Sequence, residues 1–314
     1  MLKKIKNFLK QVYLIRFFYL YLRQLYLKTF YSTTKAKEKY INKQFKKYLG
    51  YEIDFSKEPE TFNQKIQFRK LYDNNPLYSI CADKYRVREY VKEKIGEEYL
   101  IPLYLVTDKL TEEQWDKLPN SFVAKANHDS GTVKIVKDKN KVDKKKIIKE
   151  LNMSLKFDYG VLSMEKFYSN IPRKIIVEKY LGDNIEDYKF HIFNTNIDED
   201  KIFLQVDGDR FIEHKRSFYD ENQRKLNLKI TSAFDFYEYD LEKKIKKEQW
   251  KKMKEITKKL SEDFKYVRVD IFNIDDKIYF GEITFCHGSG FEDFEPIEWD
   301  YKFGSYWKQD LKRK

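Results

Sequence analysis

The stretch Arg268-Val-Asp-Ile-Phe-Asn-Ile-Asp-Asp-Lys-Ile-Tyr-Phe-Gly-Glu-Ile-Thr284 constrains this chain more than any other. Apolar and polar residues alternate in both halves around a polar centre, the pattern of a β-hairpin. Side chains alternate with period two, so Arg268 and Asp270 share one face of the first strand, and Glu282 and Thr284 one face of the second. A three-residue loop of Asp275, Asp276 and Lys277 sets Asp270 directly opposite Glu282, with Cβ atoms about 4.5–5.5 Å apart. A two-residue loop would put the pair on opposite faces. Two carboxylates that close repel unless a cation or a proton lies between them. Oxygen ligands on paired strands suit Mg2+ carried in by a nucleotide's phosphates. The plain alternative is a surface hairpin with scattered acids.

The chain of 314 residues can hold one large or two ordinary domains, and 41% hydrophobic with 17% aromatic residues argues against disorder. Cys81 and Cys286 form neither a disulfide framework nor a CxxC pair, which points to a reduced, cytoplasmic protein. The net charge of +12 is uneven: residues 1–50 carry thirteen Lys and Arg against one acid, Glu38. The rest of the chain is therefore neutral overall, and the basic partner surface is the N-terminal segment. From Met1 to Tyr31, Leu2, Ile5, Leu9, Val12, Ile15, Tyr19, Leu22, Tyr26 and Phe30 recur at three- and four-residue steps, with Lys3, Lys6, Lys10, Arg16 and Arg23 between them. Such a basic aromatic helix lies in a lipid interface, with cations snorkelling and aromatic rings at headgroup level. No uncharged run approaches the ~20 residues of a span. The reading favours contact with an anionic membrane surface on its cytoplasmic side. Packing on its own domain is the alternative, and a nucleic-acid partner is not expected without a recognition motif.

Four regions are expected: the basic segment 1–50, a lead-in 51–120, a small subdomain 121–181 and a large one 182–314. The spacing predicts a helix from Asp83, near its N-cap, to Gly96. Strands are expected at Tyr99–Thr107, Ser121–Ala126, Thr132–Val136 and Arg173–Leu181, and a pair at Asp187–Phe193 and Ile202–Val206. Lys139–Asn152 reads as a basic helix or loop, and Glu242–Leu260 as a Lys-rich helix with Ile245, Met253, Ile256 and Leu260 inward. This mixture, in no strict βαβ order, gives an α+β class with antiparallel sheets.

Lys125 interrupts the apolar strand Phe122–Asn127. A buried ammonium needs an anion, and a nucleotide phosphate would serve; a surface lysine on an edge strand is the equal alternative. The loop Asn127-His-Asp-Ser-Gly131 could donate backbone N–H groups to phosphates. Glu178 ends a buried strand, where it could read an adenine edge and a ribose. Asp187 and Lys189 share a strand face, and Asp207 and Arg210 cluster after another; each could be a simple ion pair. His128, His191, His214 and His287 show no ligand spacing, so zinc is not expected. GxSxG, Walker A and Rossmann glycine patterns do not occur.

Lys125, the His128-Asp-Ser-Gly131 loop, Glu178-Lys-Tyr-Leu181, Asp187-Tyr-Lys189 and Arg268-Val-Asp…Gly-Glu-Ile-Thr284 stand in ATP-grasp order. Together with Thr61-Phe-Asn-Gln-Lys65, Ala82-Asp-Lys-Tyr-Arg-Val-Arg88 and Phe280-Gly-Glu-Ile-Thr-Phe285, the chain resembles the TupA-like ATP-grasp family of bacterial surface-polysaccharide synthesis over about residues 58–310. The resemblance implies ATP held between two α+β subdomains and a carboxylate joined to an amine through an acyl phosphate. It assigns Lys125, His128, Ser130, Gly131, Glu178, Lys179, Leu181 and Asp187 to the nucleotide. Asp270, Glu282 and Thr284 go to Mg2+, and Arg268, Arg210 and Lys189 to the reacting groups. The substrates implied are a uronic-acid-bearing glycan or precursor and an amine. Ligases of this fold commonly end the motif Glu-x-Asn, where this chain has Glu282-Ile-Thr284. A phosphotransferase on the same nucleotide site and a glycosyltransferase holding a nucleotide sugar are the rival readings.

Overall fold

The fold, a computed structural model, describes residues 13–183, 185–194, 201–208, 215–230, 235–236, 239–309 and 311. The chain forms two units. One comprises Met1–Tyr40, Asp83–Tyr85 and Pro102–Tyr180; the other comprises Ile41–Ala82, Arg86–Ile101 and Leu181–Lys314. The lead-in 51–120 is thus divided between them, because strand partners lie far along the chain.

In the first unit β1 (Leu103–Thr107), β2 (Phe122–Ala126), β3 (Val133–Val136) and β4 (Ile175–Lys179) form an antiparallel sheet in the order β1-β4-β2-β3. The expected strand from Tyr99 starts only at Leu103, since Glu97–Tyr99 is a 3-10 turn. Phe122, Ala124 and Ala126 face one way from β2 and join Trp115, Ile148, Leu151, Ile175 and Val177 in a buried core. Trp115 comes from the helix Glu112–Asp116, started by a Thr111/Gln114 capping box, and Leu151 from Lys144–Ser154, capped by Asp143. Val123 and Lys125 take the opposite face. β2 is an interior strand, so Lys125 does not sit on an edge.

The second unit holds β5 (Asp187–Phe193), β6 (Lys201–Gly208), β7 (Lys215–Tyr219), β9 (Asp235–Phe236), β10 (Tyr266–Ile274) and β11 (Lys277–Thr284), in the order β11-β10-β5-β6-β7-β9. A short pair joins β8 (Lys229–Ile230) to β12 (Phe294–Glu295). Neighbours in the large sheet are antiparallel except β7 with β9. Phe190 meets Trp250 of the helix Lys247–Ser261 at 5.6 Å between ring centroids, and Met253, Ile256 and Leu260 of that helix are buried. The expected helix Glu242–Leu260 is broken into Leu241–Lys244 and Lys247–Ser261, because Ile245 adopts an extended conformation while staying buried.

The helix expected from Asp83 begins at Val87 and ends, as expected, at Gly96, whose φ is 110°. Asp83 is not its cap; it belongs to the first unit and accepts from Tyr85 N and Asn127 Nδ2. Of the N-terminal stripe, Leu2, Ile5, Leu9 and Val12 lie outside the described residues, and Tyr13–Phe30 is helical.

Candidate functional site

Asp275 and Asp276, with φ of 50° and 62°, form a two-residue turn between the paired Ile274 and Lys277. Positive φ at both positions is the type I′ hairpin geometry. The expected three-residue loop is therefore corrected: Lys277 already belongs to β11. Asp270 nevertheless stands opposite Glu282, because the register shifts between Asp270 and Ile271. Gly281 is the additional residue of a β-bulge. A Cβ there would lie 3.0 Å from the Asp270 carbonyl oxygen and 3.2 Å from the Phe272 ring, so glycine permits the close approach.

Arg268 supplies the cation between the two acids. Its Nε and Nη2 donate to Asp270 Oδ1 and Oδ2 at 2.7 and 2.8 Å, and Nη2 also donates to Glu282 Oε1 at 3.1 Å and Thr284 Oγ1 at 3.0 Å. One guanidinium nitrogen thus touches all three oxygen donors, which fixes them on one face of the sheet. Next door on β5, Lys189 pairs with Asp187 at 2.8 Å, Asp207 at 3.5 Å and Asp270 at 3.6 Å. Asp207 in turn takes Arg216 Nε at 2.6 Å, and Arg216 Nη1 lies 3.9 Å from Glu292.

Among the described residues these ion pairs link Asp187, Asp207, Asp270, Glu282 and Glu292 with Lys189, Arg216 and Arg268. Two histidines beside this network are held towards the neutral form. His191 is pushed down to about 3 by burial and by Arg268, and His287 well below its usual range by burial and by His191. Burial likewise raises Asp270, against the pull of Arg268 and Lys189. Carboxylate and hydroxyl oxygens on one sheet face are the donor type a divalent hard cation takes. Among the described residues no three His, Cys, Asp or Glu side chains converge on one point. Asp270 and Glu282 would therefore hold Mg2+ with other ligands completing the shell, as that ion ordinarily requires.

In the first unit Lys125 Nζ lies 2.5 Å from Glu178 Oε2. The register explains the contact: Lys125 pairs with Ile176 and Val123 with Glu178, so the two charges are diagonal neighbours on one face. The loop after β2 is pinned by Asn127. Its Nδ2 donates to Asp83 Oδ1 at 2.7 Å and Pro172 O at 2.9 Å, and its Oδ1 accepts from Lys174 N at 2.7 Å. His128 is buried with Nε2 3.2 Å from Phe157 O, so it anchors the loop, while Ser130 and Gly131 are exposed at its tip. Lys84, which the residue-by-residue reading passed over, reaches the same loop and donates to Asp129 O. Lys179 is exposed at the end of β4, and Leu181 opens the second unit. Arg210 and His214 lie outside the described residues.

A family profile described as TupA-like ATPgrasp matches residues 64–308. The chain belongs to the TupA-like ATP-grasp family. No curated protein matches the chain at a significant level. Among solved structures, D-alanine–D-alanine ligase from Helicobacter pylori is 16% identical, with a TM-score of 0.41 over 73% of this chain and 62% of that one. N5-carboxyaminoimidazole synthetase from Staphylococcus aureus complexed with ADP is 17% identical, with a TM-score of 0.38 over 65% of this chain and 44% of that one. VanG D-Ala:D-Ser ligase from Enterococcus faecalis is 15% identical, with a TM-score of 0.37 over 65% and 52%. This TupA-like chain spans less than two thirds of the length of each of these structures.

The helix that opens at Thr61-Phe-Asn-Gln-Lys65 clamps the segment that follows Thr284. Thr61 and Gln64 form a capping box on the helix Phe62–Tyr72, whose polar side chains are unusually buried. Asn63 Nδ2 donates to Glu292 O, Gln67 Nε2 to Gly290 O, Arg69 Nη1 to Phe285 O and Lys70 Nζ to Ser289 O, all between 2.6 and 2.8 Å. The clamped segment carries His287, whose Nδ1 accepts from Arg268 Nη1 at 2.8 Å. Sequence reasoning had the motif but no role for it; runs of Asn, Gln, Arg and Lys in one helix next to Phe62 and Phe68 were the available signal.

Proposed function

We propose that this ATP-grasp protein is an ATP- and Mg2+-dependent carboxylate–amine ligase acting on a uronic-acid-bearing glycan or its precursor. The observation that supports it most is the bulge at Gly281, which returns Asp270 to a position opposite Glu282 with Arg268 and Thr284 on the same face. Mg2+, when bound by Asp270 and Glu282 beside Thr284, supplies neutralisation of phosphate charge. Lys125, Lys84 and the N–H groups of the Ser130–Gly131 tip bind phosphate oxygens. Glu178, flanked by Lys179, accepts hydrogen bonds from the nucleoside. Arg268, Lys189 and Arg210 hold the acceptor carboxylate and the acyl phosphate, as a guanidinium fork does for paired oxygens. In the reaction the γ-phosphoryl group passes to the carboxylate and ADP leaves. The amine then attacks the acyl carbon, phosphate leaves, and the amine gives up a proton. Catalysis of this kind rests on positioning and preset charge.

The test uses a uronic-acid oligosaccharide labelled with oxygen-18 in its carboxylate, a panel of amines, ATP and Mg2+. One ADP, one phosphate carrying the label and one amide per turnover are expected. ADP with a phosphorylated sugar and no free phosphate would replace the ligase by a phosphotransferase. Nucleoside diphosphate released from a nucleotide sugar without ATP would replace it by a glycosyltransferase.

A further inference from the structure

Among the described residues, the helix Tyr13–Phe30 is held to the body of the first unit along one side, while Tyr26 on its other side meets only the adjoining Tyr31 and Phe30. Phe17 stacks on Phe157 with ring centroids 4.9 Å apart, Arg23 Nη2 donates to Leu162 O at 3.0 Å, and Gln24 Oε1 accepts from Asp158 N at 2.6 Å. Leu27, on the same side, is 1% exposed. The other side is left in the open. Of the fifteen exposed large hydrophobic residues described, eight lie on this helix, among them Phe18 at 61%, Leu25 at 54% and Phe30 at 64%. At 3.6 residues per turn these eight cover about half of the circumference. Lys28 borders one margin of that arc, and Arg16 and Arg23 the other.

We propose that this face is a docking surface for an anionic phospholipid membrane. It goes beyond the ligase reading and does not depend on it. Three observations select lipid over other occupants. The segment brings nine Lys and Arg before the first acid of the chain, Glu38, so it complements negative charge. A second copy would set those nine cations against nine more, and like charges across an interface oppose association. The exposed arc is rich in Tyr, Phe and Leu, with cations at its margins, the distribution that settles at headgroup depth. Because the opposite side is already bonded to the unit, the helix lies along the surface it meets. No described helix is long and apolar enough to cross a membrane.

The test is flotation of the full chain with phosphatidylcholine vesicles made with and without phosphatidylglycerol. The wild type should float with the anionic vesicles, less so as salt rises. Phe18→Asp/Leu22→Asp/Leu25→Asp changes exposed positions only and should reduce partitioning by about a hundredfold or more. Arg16→Glu/Lys28→Glu, which leaves the apolar arc whole, should reduce it at least about 25-fold, roughly fivefold for each cation lost. This second variant carries the test if the first fails to fold. A wild type that does not float, equal flotation of wild type and variants, or equal binding to both vesicle types overturns the proposal. So does a wild-type dimer that the triple variant splits without any vesicle binding, which would give the face to a second copy.

Discussion

β2 of the first unit and β5 of the second each carry a lysine in mid-strand, and the two meet opposite surroundings. Lys125 faces one carboxylate, Glu178, at 2.5 Å, and its side chain keeps 16% of its exposure. Lys189 keeps 4% and faces three carboxylates within 3.6 Å. A phosphate bound at Lys125, as proposed, would compete with Glu178 for the ammonium. The second lysine shares its acids with Arg216 and Arg268, in a network rather than a pair. The same strand pattern thus gives an isolated ion pair in one sheet and a buried charge network in the other, and the strands that become neighbours decide which.

The largest effect expected from this contrast separates Asp270 from Glu282. Asp270 is buried, and Asp270→Asn leaves Arg268 and Lys189 short of a partner; breaking such a pair costs about 3–5 kcal/mol. Glu282 has a side chain 44% exposed, so Glu282→Gln should leave the urea midpoint nearly unchanged. It should still lower Mg2+-dependent ADP release by about a hundredfold or more, since several kcal/mol of charge stabilisation is lost. Equal loss of stability in both variants would break the comparison, and wild-type turnover in Glu282→Gln would remove the metal assignment.

A smaller effect sharpens the other half. Lys125→Met should weaken ATP binding at least tenfold, the equivalent of about 1.5–3 kcal/mol for a charged hydrogen bond. The same change takes the Lys125 ammonium away from Glu178, which is buried. Adding Glu178→Gln should therefore recover thermal stability without recovering affinity, which calorimetric titration and melting curves can separate. Recovery of both would make the pair purely structural.

The smallest effect is on pH dependence. His191 is held down to about 3 and His287 well below its usual value, both by burial first. The unfolded chain binds these protons below about pH 6.5 and the folded chain does not, so stability is present above that pH and lost as pH falls. Two such groups give a slope of about 2.7 kcal/mol per pH unit where both titrate only in the unfolded state. His191→Gln should halve that contribution in urea titrations between pH 4 and 5.5, to about 1.4 kcal/mol per pH unit. An unchanged slope would show that the cluster accepts protons in the folded state.

Local pattern carried much of this fold. Strand alternation placed β5 where it stands and paired it with β6, and it put Arg268, Asp270, Glu282 and Thr284 in one hairpin. The stripe Ile15, Tyr19, Leu22, Tyr26 and Phe30 was also legible as one helix face, and all five of its residues are exposed. Such features depend on side chains a few residues apart, whose relative positions the backbone period sets.

Register and partnership were decided only in three dimensions. The two-residue turn would have parted Asp270 from Glu282 had Gly281 not added a bulge, and a bulge depends on what the facing strand allows. Lys125 found Glu178, and Lys189 found Asp207 and Asp270, because strands distant in sequence became neighbours. The clamp from Asn63, Gln67, Arg69 and Lys70 to the segment around His287 joins residues separated by most of the chain. A sequence states which charges and donors exist and how neighbours alternate. The energy of burying a charge depends on every group around it, and only the assembled sheets bring those groups within reach.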